Sequence, residues 1–164
     1  MTDITIRHAE PSDYQAIMEI YNQPSTYGDT LQLPYPSKST WQQRLEQLSD
    51  NDTSLVALVD GIIVGQIGLR VMTSPRRKHV ATIGMGVSEP FQGKGIGTAL
   101  LEAIIDLSFN WLAITRIELE VYADNKAGVA LYKKLGFELE GTAKQHAFRN
   151  GRYVDSHYMA LINA

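Results

Sequence analysis

Apolar residues recur along this chain with two different periods, and each change of period marks an element. Residues 2–7 alternate and predict a strand. Tyr14, Ile17, Met18 and Tyr21 follow at helical spacing, with Ser12 or Asp13 placed to cap this helix and Pro24 to end it. Residues 25–37, with Gly28, Pro34 and Pro36 among them, read as a loop. Ser39 or Thr40 then opens a second short helix with Trp41, Leu45 and Leu48 on one face. Apolar runs over 55–59 and 62–71 meet at Asp60-Gly61, a hairpin dipeptide. A turn over 75–78 leads to a strand over 80–87.

The second half continues in the same manner. Ile96, Leu100, Ala103, Ile104, Leu107 and Trp111 mark one helix face. Ile117, Leu119 and Val121 alternate with Glu118, Glu120 and Tyr122, a further strand. Residues 126–135 are helical and stop at Gly136, a C-cap glycine. From Phe137 two strands follow, turning at Asn150-Gly151. The expected order is β-α-α-β-β-β-α-β-α-β-β, an α/β (α+β) fold with helices flanking a mixed sheet. With no linker, repeat or low-complexity stretch, residues 1–164 read as one domain.

Between the strand over 80–87 and the helix after it lies Gln92-Gly93-Lys94-Gly95-Ile96-Gly97. Glycines let the backbone approach a bulky anion, and the free N–H groups of the first helical turn point at it. A P-loop is excluded, because Ser88 and Gly95 stand where it needs Gly and Ser or Thr. A dinucleotide fingerprint fails because its last glycine would fall on Thr98. Q-x-x-G-x-G remains. An ordinary loop and helix start is the alternative for these six residues alone.

That motif resembles the coenzyme A pyrophosphate loop of the GNAT superfamily of N-acyltransferases, Q/R-x-x-G-x-G/A. Val87 with Pro90 resembles the family's lead-in, Asn125 opens the next helix as in the family, and Leu131-Tyr132-Lys133-Lys134-Leu135-Gly136-Phe137 is similar to its Y-x-K-x-G-F ending. The element order matches along nearly the whole chain, and it implies a mainly antiparallel GNAT sheet. Residues 136–159, with the run from Arg149 to Asp155, resemble the bacterial branch that acetylates free amino acids or small amines.

The resemblance implies acetyl-coenzyme A as co-substrate. It would be held by the Val87 backbone, by Gln92, Gly93, Lys94, Gly95, Ile96, Gly97 and Thr98, and by Asn125 and Tyr132. Tyr132 would protonate the departing thiolate. Each position has a plainer role beside this one: Val87 as core, Asn125 as a helix cap, Tyr132 as a packing aromatic. Lys133 or Lys134 could contact phosphate or only solvent. Gly84 and Gly86 suggest either a bulge or a close ligand. Tyr27, Tyr35 and Trp41 are candidates for an apolar acceptor pocket or for loop packing. Arg76-Arg77-Lys78-His79 reads as a solvated turn, with an anion site as the alternative.

Bulk properties narrow the partners. A net charge of −3 gives no basic face for nucleic acid. The absence of cysteine removes thiol nucleophiles and disulfides. His8, His79, His146 and His157 have no metal-ligand spacing, so no metal is expected. Without a signal pattern or a membrane-length apolar run, a soluble cytoplasmic protein is expected, with homodimer formation open.

The acceptor amine must be neutral to attack. An α-amino group near pKa 8 costs about 1 kcal/mol to neutralise at pH 7, and a lysine near 10.4 costs about 4–5 kcal/mol. Residues 82–86 contain no acid where some relatives keep one, which favours a small α-amine such as a free amino acid. Glu118, Glu120 and Glu89 are the available bases, with solvent-facing charge as the plainer role of each. Acetylation of a protein N-terminus, or a coenzyme A-binding sensor without catalysis, are the alternative functions.

Overall fold

The computed structural model describes residues 3–164, so Thr2 of the expected first strand lies outside the described residues. The described residues form seven strands: β1 Thr5–His8, β2 Asp52–Val59, β3 Ile62–Val71, β4 Val80–Val87, β5 Arg116–Tyr122, β6 Glu138–Arg149 and β7 Arg152–Ile162. They form one sheet in the order β1-β2-β3-β4-β5-β7-β6. All neighbours are antiparallel except β4 and β5. That parallel pair requires a crossover, which α4 (Ile96–Asn110) supplies.

Strand alternation sends apolar side chains to both faces. Ile67, Leu69, Ala81, Ile83, Ile117 and Leu119 bury against Ile96, Leu100, Leu101 and Ile104 of α4, with Tyr132 of α5 (Lys126–Lys134) in the same core. The opposite face buries Val56 beneath Ile17, Met18 and Tyr21 of α1 (Tyr14–Tyr21) and Trp41 of α3 (Lys38–Glu46). Among the described residues no helix is long and apolar enough to cross a membrane.

Local chemistry shifts several expected boundaries. Asp13 stands at the N-cap of α1, but its side chain makes no cap bond to that helix; its carboxylate instead accepts from the Glu10 N–H at 2.7 Å across the 3-10 turn Pro11–Asp13. Pro24 does not end a helix; it opens α2 (Pro24–Gly28) at a position where its missing N–H costs nothing, so the expected loop begins as a helical turn. Ser37, not Ser39 or Thr40, caps α3, its Oγ accepting from the Thr40 N–H at 3.4 Å. Leu48 lies past the end of α3. Trp111 is the C-cap of α4 and 76 % exposed, because the chain turns away there instead of continuing the buried face.

Candidate active site

β4 and β5 pair only from Val80–Arg116 to Thr82–Glu118, although β4 runs on to Val87 and β5 to Tyr122. Beyond those three pairs the strands part. The Ser88 N–H donates to the Val64 carbonyl (2.8 Å) and the Met72 N–H to the Val80 carbonyl (2.9 Å). These bonds make Gly65–Val87 and Ile67–Met85 the non-hydrogen-bonded pairs of β3 and β4. Met85 and Val87 therefore aim their N–H and C=O groups away from β3, into the gap. The Val87 carbonyl accepts from Gln92 Nε2 (3.1 Å), which leaves its N–H directed at the gap. No bulge interrupts β3–β4 at Gly84 or Gly86, so the bulge reading of these glycines is wrong.

The gap belongs to a cavity of about 1190 Å³. At one end lies the glycine loop. Gly93 (φ +74°) and Gly95 (φ +86°) occupy the left-handed region, and nothing lies within 4 Å of where a Cβ would stand. Gly95 is the N-cap of α4, so the N–H groups of Ile96, Gly97 and Thr98 have no intrahelical acceptor and stay available to an anion. Gln92 ties the loop down through Val87 and Ser25 Oγ (3.2 Å). Lys94 is outside the cavity lining, its Nζ 5.3 Å from the Phe91 ring. These features fit a pantetheine pyrophosphate: free donors, no side chain in the way, and an open strand edge alongside.

Asn125 and Tyr132 line the same cavity. Asn125 caps α5, its Oδ1 accepting from the Gly128 N–H at 3.0 Å, and its Nδ2 remains a donor. The Tyr132 ring packs edge-on against Phe137, with centroids 5.7 Å apart. Burial pushes its phenol up to about 12, so it is protonated at neutral pH. Lys133 and Lys134 do not line the cavity.

The other end is roofed by Tyr21 and Trp41, stacked at 5.2 Å. The Tyr21 hydroxyl donates to Gln66 Oε1, and Gln66 Nε2 donates to Ser54 Oγ at 2.9 Å, which fixes this wall. Arg44 lies over Trp41 at 4.7 Å, and Arg70 is held by Asp52 at 2.8 Å; both line the cavity. Of the expected aromatics only Trp41 takes part. Tyr35 is 96 % exposed, and Tyr27 is outside the lining. The Arg76–His79 run is likewise outside it, and Arg77 pairs with Glu118 at 2.8 Å.

The three candidate bases separate by their partners. Glu118 accepts from Arg77 and from Arg116 Nε (3.0 Å). Glu89 accepts from the Ser25 N–H at 2.9 Å, which holds its carboxyl below the usual range. Glu120 faces the cavity and meets His146 Nε2 at 2.9 Å. Alternation along β6 does not reveal His146, because β6 is irregular there: Ala143 pairs with Ser156 and Ala147 with Val154. Asp155 holds that bulge by accepting from the Gln145 N–H at 2.8 Å. Sequence reasoning also missed Ser156, a buried cavity residue whose Oγ has no hydrogen-bond partner among the described residues.

Comparison with known proteins agrees with this geometry. The model of the acetyltransferase (GNAT) family matches residues 14–137. An L-amino acid N-acetyltransferase, AaaT, of Escherichia coli K12 is 46 % identical over 162 residues, covering 99 % of each chain. A GNAT superfamily phosphinothricin acetyltransferase from Sinorhizobium meliloti, solved in complex with acetyl-coenzyme A, superposes with a TM-score of 0.88 at 27 % identity, covering 99 % of this chain and 89 % of that one. A ribosomal-protein-alanine N-acetyltransferase from Brucella melitensis gives a TM-score of 0.86 at 29 % identity, covering 97 % and 99 %. The chain belongs to the GNAT family of acetyltransferases.

Proposed function

We propose that the enzyme transfers an acetyl group from acetyl-coenzyme A to the α-amino group of a free amino acid. The observation that carries this is one continuous cavity with an anion cradle at the α4 N-terminus and an aromatic, arginine-rimmed pocket at the other end. The full-length similarity to an L-amino acid N-acetyltransferase supports the acceptor class. Arg44 and Arg70 supply cations for the acceptor carboxylate.

Acetyl-coenzyme A supplies a thioester, an activated acyl group with a thiol leaving group. The Ile96, Gly97 and Thr98 N–H groups hold its phosphates, and Asn125 Nδ2 donates to the pantetheine arm. The Val87 N–H donates to the acyl oxygen as negative charge builds on it. Glu120 takes the proton from the acceptor ammonium. With hydrogen on Nε2, His146 donates to one Glu120 oxygen and leaves the other free for that proton. The Tyr132 hydroxyl donates a hydrogen bond to the sulfur and delivers its proton as the thiolate departs, and the second proton leaving the acceptor nitrogen returns to the phenolate, so the phenol is restored. At about 12 the phenol is a weaker acid than a thiol, so it helps through the developing charge and not by early transfer.

The likeness to a ribosomal-protein-alanine N-acetyltransferase favours a second acceptor, the N-terminus of a protein. Mass spectrometry of products from a mixture of free L-amino acids, their decarboxylated amines and short peptides separates the two. Acetylated free amino acids as the main product are expected. Acetylated peptides with untouched amino acids would establish the second acceptor, and preference for decarboxylated amines would remove the carboxylate role of Arg44 and Arg70.

A further inference from the structure

Across the cavity side of the sheet, Ser54 pairs with Gly68 and Gly68 with Gly84, a row of small residues over β2, β3 and β4. Strand-interior glycine weakens a sheet, so each such glycine needs a cause. Gly65 and Gly86 have one. A Cβ on Gly65 would stand 2.8 Å from Ile96, and one on Gly86 would stand 2.9 Å from Tyr21. Gly68 and Gly84 have neither a packing cause nor a backbone one. A Cβ on Gly84 meets nothing within 4 Å, one on Gly68 meets only the Gln66 amide (3.6 Å) and the Gly84 carbonyl (3.9 Å), and neither residue has the positive φ that calls for glycine. Both line the cavity. What they leave is space.

We propose that Gly68 and Gly84 form the floor of the acceptor's side-chain site, and that their bareness admits a flat aromatic or long unbranched side chain. This rests on the amino-acid reading above. The trough has Gln66 beneath the Tyr21–Trp41 stack along one side, and Arg70 with Thr82 along the other. It opens at Gly84 on the edge of β4, past the last β4–β5 pair. Glu120 stands across that opening, two residues beyond Glu118, the partner of Thr82. An amine at Glu120 therefore sends its side chain along bare peptide planes, with an aromatic wall beside it. A methyl group on the floor removes the depth that a ring or a four-atom chain needs and leaves room for an alanine-sized acceptor.

The test is kcat/KM for L-phenylalanine and L-alanine by thiol release, in the wild type, Gly84→Ala and Gly68→Ala. The wild type is expected to favour phenylalanine. Gly84→Ala, which has open space for its methyl, is expected to lower the phenylalanine-to-alanine ratio about tenfold or more, mainly through KM for phenylalanine. Gly68→Ala should move it the same way. A wild type that prefers alanine overturns the proposal, and so does an unchanged ratio in both variants. If amino acids are acetylated with an unaltered ratio, the floor alone fails. If no free amino acid is acetylated, the acceptor reading fails with it.

Discussion

Glu120 and His146 meet at 2.9 Å although they sit on β5 and β6, which are not neighbours in the sheet. β7 runs between them, and the His146 ring stands edge-on to Tyr158, the residue opposite Glu120 on β7. The irregular stretch of β6 held by Asp155 lets the imidazole reach across. Among the described residues Glu120 is the cavity carboxylate without an arginine partner, where Asp29 and Asp52 are held by Arg149 and Arg70, and this suits it to accept a proton.

Glu120→Gln is expected to lower kcat about 10²–10⁴-fold near pH 7. The deficit should shrink as pH rises through the pKa of the acceptor's own α-ammonium, where the amine loses its proton without help. A pH–rate profile of both proteins checks this. A deficit of equal size at every pH would remove Glu120 from proton transfer.

Tyr132→Phe keeps the ring that packs on Phe137 and removes only the hydroxyl. A fall in kcat with little change in coenzyme affinity is expected, because the bond to sulfur strengthens only as charge develops. With the phenol at about 12, the wild type should show no loss of rate from Tyr132 ionisation below about pH 10. Unchanged turnover in folded Tyr132→Phe, with chemistry limiting the rate, would leave Tyr132 a packing residue.

Gly95→Val places a β-branched residue at φ +86°, where strain costs about 1–2 kcal/mol, and puts its side chain into the anion cradle. Two melts separate these effects. The free variant should melt lower than wild type. The further stabilisation by acetyl-coenzyme A, about 2.7 kcal/mol at 100 times Kd in the wild type, should largely vanish. A variant that melts lower but keeps the full coenzyme shift would make the loop structural only.

Asp13 accepts from Arg7 at 2.7 and 3.1 Å and from the Glu10 N–H, and the Arg7 guanidinium holds its carboxyl below the usual range. Its folded pKa lies below the unfolded value, so its contribution is present above about pH 4 and is lost as pH falls through the folded pKa. Asp13→Asn is expected to cost about 1 kcal/mol at pH 7 and progressively less on acidification. Urea melts at pH 7 and pH 3 measure the difference, and an equal cost at both would contradict the ion-pair origin.

Strands and long helices were legible in the sequence because their burial is periodic: β4 has the bounds that its apolar run predicts, and α5 ends within one residue of the expected position. The glycine loop and Asn125 were legible because each rests on local backbone chemistry. The bounds of α2 were not, since a proline both ends and begins helices. The choice among Glu89, Glu118 and Glu120 was also hidden. It depends on Ser25, Arg77, Arg116 and His146, partners distant in sequence and brought close by sheet register. The Arg149-to-Asp155 run now has physical content. Arg149 binds the Gly28 carbonyl (2.8 Å) and Asp124, and Asp155 fixes the bulge beside His146.

Thiol release from acetyl-coenzyme A, followed with and without free L-amino acids, tests the catalytic reading most directly. Release that depends on the amino acid, with an equal amount of N-acetylamino acid formed, is expected. Tight binding of acetyl-coenzyme A with no acceptor-dependent thiol release, across amino acids, amines and peptides, would contradict it and leave a coenzyme-binding protein without transferase activity.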